Sequence, residues 1–213
     1  MAKPKEIFYE KRGKLLVKNL QKRHFEAYYC ATKAAAVEKA LELIPEGSTV
    51  GWGGAMSCSQ VGLLDALRQG VFRCIDRERT LDPEEKLKAE RDCFYADFFL
   101  CSANALSLDG QMVNIDGYGN RVAAIVYGPK CVLVVAGMNK VVDTLEDAVR
   151  RARTIAAPQN QQRFERKTTP CTVTGSCADC TSEECICNQI LITRHCRPAG
   201  RIKFIIVGEE LGF

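Results

Sequence analysis

Residues 96–142, ADFFLCSANALSLDGQMVNIDGYGNRVAAIVYGPKCVLVVAGMNKVV, carry most of the signals that decide the fold. The stretch alternates short apolar runs with glycine, asparagine and aspartate, which favour turns. Its last apolar run, 131–136, has no polar position, as expected for a strand covered on both faces. We predict strands at 97–101, 111–116, 121–127 and 131–136, with the middle two paired as a hairpin.

The flanking sequence extends this pattern of strands and helices. Upstream, helical spacing predicts one long helix over 21–44, followed by a strand at 49–52, a glycine turn, a helix over 59–68, a strand at 71–75 and a helix that begins at Asp82-Pro83. Downstream, we predict an amphipathic helix over 142–155 that AAPQN ends, and a closing pair of strands at 189–196 and 201–213.

Strands that alternate with helices predict an α/β fold with a mixed sheet and helices on both faces. The 213 residues fit one domain, 1–213, with an N-terminal helical region at 1–47 and a Cys-rich loop at 170–188.

Composition excludes several classes of protein. Hydrophobic residues make up 46% of the chain and charged residues 26%, with a net charge of +4, which is typical of a globular protein. No run approaches the roughly 18 apolar residues of a membrane span, and the charged N-terminus is not a secretory signal. We therefore expect a cytoplasmic protein with no membrane span. The basic segment 1–23 lacks interleaved aromatic residues, so we expect no binding to nucleic acid.

Short motifs from residue 96 onwards resemble the LUD family, the lactate utilisation domain. They are Ser102-Ala103-Asn104-Ala105, Asp109-Gly110, Asp116-Gly117, Gly119-Asn120-Arg121, Gly128-Pro129-Lys130, Asn139-Lys140 and the Cys-rich tail that ends in GEELGF. The resemblance implies a three-layer α/β fold similar to ribose-5-phosphate isomerase, glucosamine-phosphate deaminase and the CoA-transferases. Family members take part in oxidising L-lactate to pyruvate alongside iron–sulfur partner subunits. For a short member such as this one, the resemblance leaves the reaction open.

The glycine turn between the strand at 49–52 and the next helix is a candidate anion site. Backbone N–H groups and the positive end of a helix dipole can meet at such a turn. It looks like the phosphate turn of the isomerase-like group, although Ala55 stands where many LUD sequences carry Ser. A tight turn that binds nothing is the alternative. The candidate residues for a phosphate or carboxylate are Gly51, Gly53, Gly54 and Ser57.

Four polar residues at the ends of predicted strands are candidate catalytic residues: Asn104, Asp116, Arg121 and Lys140. Arg121 has the geometry to bind a carboxylate such as that of lactate. Lys140 follows a buried strand, where α/β sheets place their ligands. The alternatives are a structural Asp116–Arg121 pair and a solvated lysine.

Five cysteines lie within 170–188, and in a reducing compartment clustered cysteines more often bind metal or do chemistry than form disulfides. The thiols that coincide with the family's tail motif are Cys171, Cys177, Cys180 and Cys187, spaced C-x5-C-x2-C-x6-C. Zinc sites usually have two paired knuckles, whereas iron–sulfur clusters accept irregular spacing. We therefore favour a [4Fe–4S] cluster over zinc, with a site without metal as the third reading. Outside the loop, Cys58 stands at a helix start, where the pKa of a thiol can fall.

Two classes of function fit these residues. In the first, the protein is a subunit or accessory of lactate or other small 2-hydroxy acid oxidation. It would carry an iron–sulfur cluster, bind a small carboxylate or phosphate, and meet iron–sulfur partner subunits or further copies of itself. The alternatives are a non-catalytic metal-binding or assembly module, and a small phosphate- or carboxylate-binding enzyme of isomerase or transferase type.

Overall fold

The computed structural model describes residues 3–164 and 168–213. Within them, the helices are α1 Pro4–Lys22, α2 Lys33–Leu43, α3 Met56–Gln60, α4 Leu63–Gln69, α5 Pro83–Asp92, α6 Asn120–Val126, α7 Leu145–Arg151, α8 Ala157–Gln161 and α9 Pro170–Thr174. The strands are β1 Glu26–Cys30, β2 Thr49–Trp52, β3 Arg73–Ile75, β4 Phe98–Cys101, β5 Ala105–Ser107, β6 Met112–Asp116, β7 Cys131–Gly137, β8 Val141–Val142, β9 Gln189–Thr193 and β10 Ile202–Val207.

These strands form two sheets. The larger has six parallel strands in the order β1-β10-β7-β4-β2-β3. The smaller has four strands in the order β8-β5-β6-β9, with β5 parallel to β8 and the other pairs antiparallel. The predicted α/β class is confirmed, and the mixed pairing is confined to the smaller sheet.

Helices cover both faces of the parallel sheet, as predicted. On one face, Ala40 of α2 and Leu67 of α4 pack with Trp52, Leu133 and Ile205. On the other face, α1 and α6 pack against the sheet through apolar residues that include Leu16, Leu20, Ile125 and Phe204. A third cluster, which includes Ala105, Ile115 and Ala152, joins the smaller sheet to α7 and the segment after it. In the described parts of the chain, no helix is both long and apolar enough to cross a membrane.

The predicted helix over 21–44 is wrong, and region 1–47 is therefore not purely helical. The chain leaves α1 through His24, whose φ is +62°, and enters β1, which pairs in parallel with β10. The Thr32 side chain then accepts a hydrogen bond from the Ala35 N–H and starts α2. The alanines of α2 have helical spacing, and the predicted helix was extended from them over β1. The tyrosines of β1 favour a strand instead.

The predicted strand at 121–127 is also wrong, because this segment forms α6. The Asp116 carboxylate accepts hydrogen bonds from the N–H groups of Arg121 (3.0 Å) and Val122 (3.3 Å), which satisfies the start of the helix. Gly119 takes a φ of +85° just before it. The predicted hairpin does not form, and β6 pairs with β9 instead.

The closing strands exist but do not pair with each other. β9 lies beside β6 in the smaller sheet, while β10 lies between β1 and β7 in the larger one. The sequence AAPQN does not end the preceding helix either, because α7 continues through a π-helical turn at Ala152–Ala156 into α8. Pro158 follows this π-helical turn.

Candidate functional site

A cleft of about 330 Å³ opens at the carboxyl ends of the central strands of the parallel sheet. β2, β4 and β7 end there, and Gly53, Ser102 and the turn Met138–Lys140 follow directly. Open α/β sheets bind ligands at this edge. The polar and glycine residues that line the cleft include Gly53, Gly54, Ser102, Asn104, Asp116, Arg121, Lys140 and Arg163.

Arg121 is held rigidly at one wall of the cleft. Its guanidinium donates to Asn104 Oδ1 at 3.0 Å and to the Ile115 carbonyl oxygen, and its Nε lies 3.9 Å from Asp116 Oδ1. Asn104 Oδ1 also accepts from the Ile115 N–H at 3.0 Å, which fixes the amide. The Arg121 side chain is 17% exposed, so its position is set by the protein before any ligand arrives. A guanidinium held in this way is suited to a carboxylate.

Lys140 is buried at the inner end of the cleft, with 4% of its surface exposed. Its Nζ lies within hydrogen-bonding distance of Ser57 Oγ (3.2 Å), Ser102 Oγ (3.0 Å) and the Ala103 carbonyl oxygen (3.1 Å). None of these acceptors is charged. Burial, reinforced by the positive charges of Arg151 and Arg121, lowers the pKa of Lys140 to about 7.

The predicted anion-binding residues are divided between the cleft and the core. Gly53 and Gly54 line the cleft. Ser57 is fully buried behind it, with its Oγ 3.0 Å from Ser102 Oγ. Gly51 is buried within β2, where a Cβ would lie 2.5 Å from Cys93 Sγ. Close packing therefore explains the glycine at position 51.

Sequence reasoning assigned no role to four polar residues at or beside the cleft. Ser102 directly follows the central strand β4, and this position was the signal that could have identified it. Arg77 pairs with Glu90, and Arg163 donates to Asn160 Oδ1 at 3.2 Å. Arg151 is buried and donates to the Asn139 and Asn104 carbonyl oxygens. Arg77 lies far from Arg151 and Arg163 in the chain, and no motif marks the three arginines.

The Cys-rich loop encloses a second cavity, of about 210 Å³. The cysteines that line it are Cys171, Cys177, Cys180, Cys185 and Cys187, so the structure brings the four predicted thiols together with a fifth. The Cys187 N–H lies 3.3 Å from Cys185 Sγ. Burial and the neighbouring thiols of Cys185, Cys177 and Cys171 raise the pKa of Cys187 to about 12. Cys196 lies apart, buried in the main core.

The cleft and the cysteine cavity share one wall. Ile186 lines both of them. Its Cα would lie 3.4 Å from a Cβ at Gly117, and Asn188 Nδ2 donates to the Gly117 carbonyl oxygen at 3.1 Å. The loop that carries the cysteines therefore rests directly on the segment that carries Asp116 and Arg121.

Helix α8 and the residues that follow it serve both cavities. Pro158 and Gln161 line the cysteine cavity, whereas Asn160 and Arg163 line the cleft. Gln162 Nε2 donates to the Cys171 carbonyl oxygen at 2.8 Å. A movement of this segment would change the shape of both cavities.

Comparison with known proteins identifies a family that this chain matches and a solved structure with a similar fold. The family model of the LUD domain matches residues 13–207. The comparison with curated proteins finds no match. A crystal structure of a DUF162 family protein from Deinococcus radiodurans is similar to this chain with a TM-score of 0.52 and 12% identity, covering 93% of this chain and 97% of the other. At this identity the similarity supports the fold alone.

Proposed function

The chain belongs to the LUD domain family, and on this premise we propose that it binds a small 2-hydroxy or 2-keto acid in the cleft and carries a [4Fe–4S] cluster on the Cys-rich loop. It would act as a subunit or accessory of 2-hydroxy acid oxidation. Oxidising the acid to the keto acid releases two electrons and two protons. The electrons would leave one at a time by way of the cluster to iron–sulfur partner subunits, and the protons would pass to Lys140 and to solvent.

The observation that carries this proposal is the shared wall at Ile186. A ligand held by Arg121 would be separated from the cysteine cavity by the Gly117 backbone and the Ile186 side chain. A redox centre and an oxidisable substrate need such proximity. A cysteine loop with a purely structural role would not need to lie against the cleft.

The sequence spacing of the cysteines favours a cluster over a single zinc ion. Zinc sites usually have two paired knuckles, whereas iron–sulfur clusters accept irregular spacing such as C-x5-C-x2-C-x6-C. In the described parts of the chain, no three His, Cys, Asp or Glu side chains are spaced to hold a metal ion. Five thiols of the loop nevertheless line one cavity, of about 210 Å³. Cys171, Cys177, Cys180 and Cys187 would be the ligands, with Cys185 as a neighbour, and the cluster would supply one-electron transfer.

The cleft fits the acid through its fixed cations. Arg121 would bind the carboxylate, and Asn104 and Asp116 would keep its guanidinium in place. The lowered pKa of Lys140 would let it exchange a proton with the 2-hydroxyl group near neutral pH through the Ser102 hydroxyl, which lies between Lys140 and the cleft. The protein's own contribution would then be to bind, to orient and to accept a proton.

Metal analysis tests the cluster. Protein purified without oxygen is expected to contain stoichiometric iron and sulfide, and Cys177→Ser is expected to lose most of both. Cys74→Ser, at a partly buried cysteine on β3, is the control and is expected to keep them. A stoichiometric zinc content would contradict the cluster and indicate a structural zinc site instead. If anaerobic wild-type protein contains neither iron nor zinc, the proposed metal site is wrong.

Calorimetric titration with L-lactate and pyruvate tests the cleft. Arg121→Ala is expected to weaken binding by about tenfold or more, since charged hydrogen bonds contribute roughly 1.5–3 kcal/mol. Arg73→Ala, at an exposed position on β3, is expected to change nothing. Iron without acid binding would leave a non-catalytic cluster-carrying module, which is the alternative function.

A further inference from the structure

Three reactive side chains meet at the inner end of the cleft. Ser57 Oγ and Ser102 Oγ are 3.0 Å apart, and Lys140 Nζ lies 3.2 Å and 3.0 Å from them. The Ala103 carbonyl oxygen accepts a third hydrogen bond from Lys140 Nζ, at 3.1 Å. A nucleophile within hydrogen-bonding distance of a base, with a further group that orients the base, is the arrangement of covalent catalysis.

The geometry distinguishes the roles of the three groups. Ser102 lines the cleft, whereas Ser57 lies behind it and is fully buried. Lys140 Nζ is surrounded by three oxygens, which leaves a substrate carbon no open direction of approach. Ser102 Oγ is thus the atom positioned to attack. Its backbone is also fixed, because the buried Asn114 side chain donates to the Ser102 carbonyl oxygen at 2.9 Å.

We propose that Ser102 is a nucleophile for acyl transfer, with Lys140 as its general base and Ser57 as the hydroxyl that positions both. The substrate would be an ester of a small anionic acid, whose charge Arg121 would bind. The proposal goes beyond the acid-binding and cluster function above and does not depend on the cysteines.

The reaction needs no external oxidant or metal. Ser102 Oγ bonds to the acyl carbon while its proton passes to the neutral Nζ of Lys140. The tetrahedral intermediate then collapses, the ester C–O bond breaks, and Lys140 returns the proton to the leaving alkoxide. Water attacks the acyl-Ser102 ester in the second half, with Lys140 again accepting and returning one proton. The products are the free acid and the alcohol.

The protonation state of Lys140 supports this assignment. A lysine acts as a base only when its amine is neutral, and burial with two nearby arginines lowers the pKa of Lys140 to about 7. At pH 8 most of the amine would be neutral.

The test is covalent labelling by a fluorophosphonate probe, which reacts with activated serines by losing fluoride. Wild-type protein is expected to gain one adduct, located by peptide mass spectrometry at Ser102. The labelling rate is expected to rise with pH through about 7. Hydrolysis of p-nitrophenyl acetate and of the p-nitrophenyl monoester of succinic acid measures turnover, with the anionic ester expected to react faster.

Three variants and a control complete the design. Ser102→Ala is expected to abolish labelling. Lys140→Arg and Lys140→Met are expected to slow it by about 100-fold or more, the usual contribution of a general base. Lys140→Met removes the base without adding a charge to a site that is mostly neutral at pH 8, so a folded Lys140→Met protein separates folding from catalysis. Ser107→Ala changes a serine that is equally buried but hydrogen bonded to Asp109, and it should label as wild type does.

Each outcome decides the proposal. An adduct at Ser102 that depends on Lys140 supports it. No adduct on folded wild-type protein, an adduct elsewhere, or a rate unchanged in folded Lys140→Arg overturns it. Acid binding and iron content are separate measurements, so a negative labelling result would leave the function proposed above intact.

Discussion

At the scale of single residues, Lys140 is an ionisable group in an almost fully buried environment, with 4% of its surface exposed. Its ammonium is buried against two hydroxyls and a carbonyl, and within the described residues no carboxylate forms an ion pair with it. Burying a cation without a counter-ion disfavours its charged form. The same burial that prepares Lys140 for proton transfer therefore destabilises the fold at low pH.

The destabilisation caused by burying the Lys140 ammonium should be measurable in the pH dependence of the free energy of unfolding. The pKa of Lys140 is about 7 in the folded protein and about 10.4 in an unfolded chain. Between these values the unfolded chain binds more protons, so the free energy of unfolding rises with pH. Below pH 7 both states are protonated and the full penalty remains. The free energy of unfolding of wild type minus that of Lys140→Met should therefore increase from pH 7 to pH 10.

Urea unfolding at several pH values measures this difference. Lys88→Met, at an exposed position on α5, is the matched control and should give a difference that does not vary with pH. A flat difference for Lys140→Met as well would show that the buried amine keeps its proton throughout.

Residue environments were only partly predictable from the sequence. Arg121 and Asn104 were predictable as neighbours in one cleft because both were placed at the ends of predicted strands, although the segment predicted as a strand at 121–127 is a helix. Cys58 was not predictable, since its place in the first turn of a helix suggested a lowered pKa. The side chain is fully buried, and burial raises the pKa of Cys58 instead. Local sequence shows where a residue lies along a helix but not how deeply tertiary packing covers it.

At the scale of elements, α6 shows tertiary contacts overriding local preference. RVAAIVY is rich in β-branched and aromatic residues, which favour a strand. Both ends of the segment nevertheless receive helix-specific partners from elsewhere. Asp116 binds the first N–H groups, and Arg201, 75 residues after Val126, donates to the last carbonyls. The distances from the Arg201 guanidinium are 2.7 Å to the Ile125 oxygen and 3.1 Å to the Ala124 oxygen.

Removing this cap should destabilise the whole protein. Arg201→Ala leaves partly buried carbonyls without their charged donors, and hydrogen bonds to charged groups contribute roughly 1.5–3 kcal/mol. We expect a loss of about 2 kcal/mol in the free energy of unfolding, on the same basis. Chemical denaturation of Arg201→Ala and of Arg194→Ala, an exposed control, measures it. Equal stability of the two variants would mean that α6 holds its last turn without Arg201.

The elements predicted correctly are those whose start or burial is determined by residues within the element itself. The Asp82 side chain accepts from the Glu84 N–H at 2.8 Å and Pro83 begins α5, as the sequence indicated. β7 is buried along most of its length, as its uniform apolar composition indicated. The errors concern segments whose partners are distant in sequence, such as β1 with β10 and β9 with β6.

At the scale of the whole molecule, the parallel sheet and the Cys-rich loop differ in what holds them. β7 and β10 are central strands with buried side chains on both faces. α9 has no buried residue, and much of the loop around it is exposed to solvent. Apolar burial therefore stabilises the sheet, whereas the loop would depend on the metal–thiolate bonds of the proposed cluster.

Removing the proposed cluster should accordingly loosen one region first. Hydrogen exchange in residues 170–188 is expected to speed up after anaerobic chelation of iron, while β7 and β10 keep their protection. Cys177→Ser should show the same fast exchange without chelation. Unchanged exchange in 170–188, or equal loss of protection in the central strands, would contradict a loop held by metal.

The shared wall at Ile186 has a consequence for how the proposed cluster would meet air. Molecular oxygen is small and apolar, and the aliphatic side chain at position 186 stands between the cleft and the sulfurs. On the other side of the loop, Cys177 is exposed to solvent. Oxygen would therefore reach the sulfurs directly from solvent rather than through the cleft, so a bound ligand would give the cluster no protection from an aerobic environment.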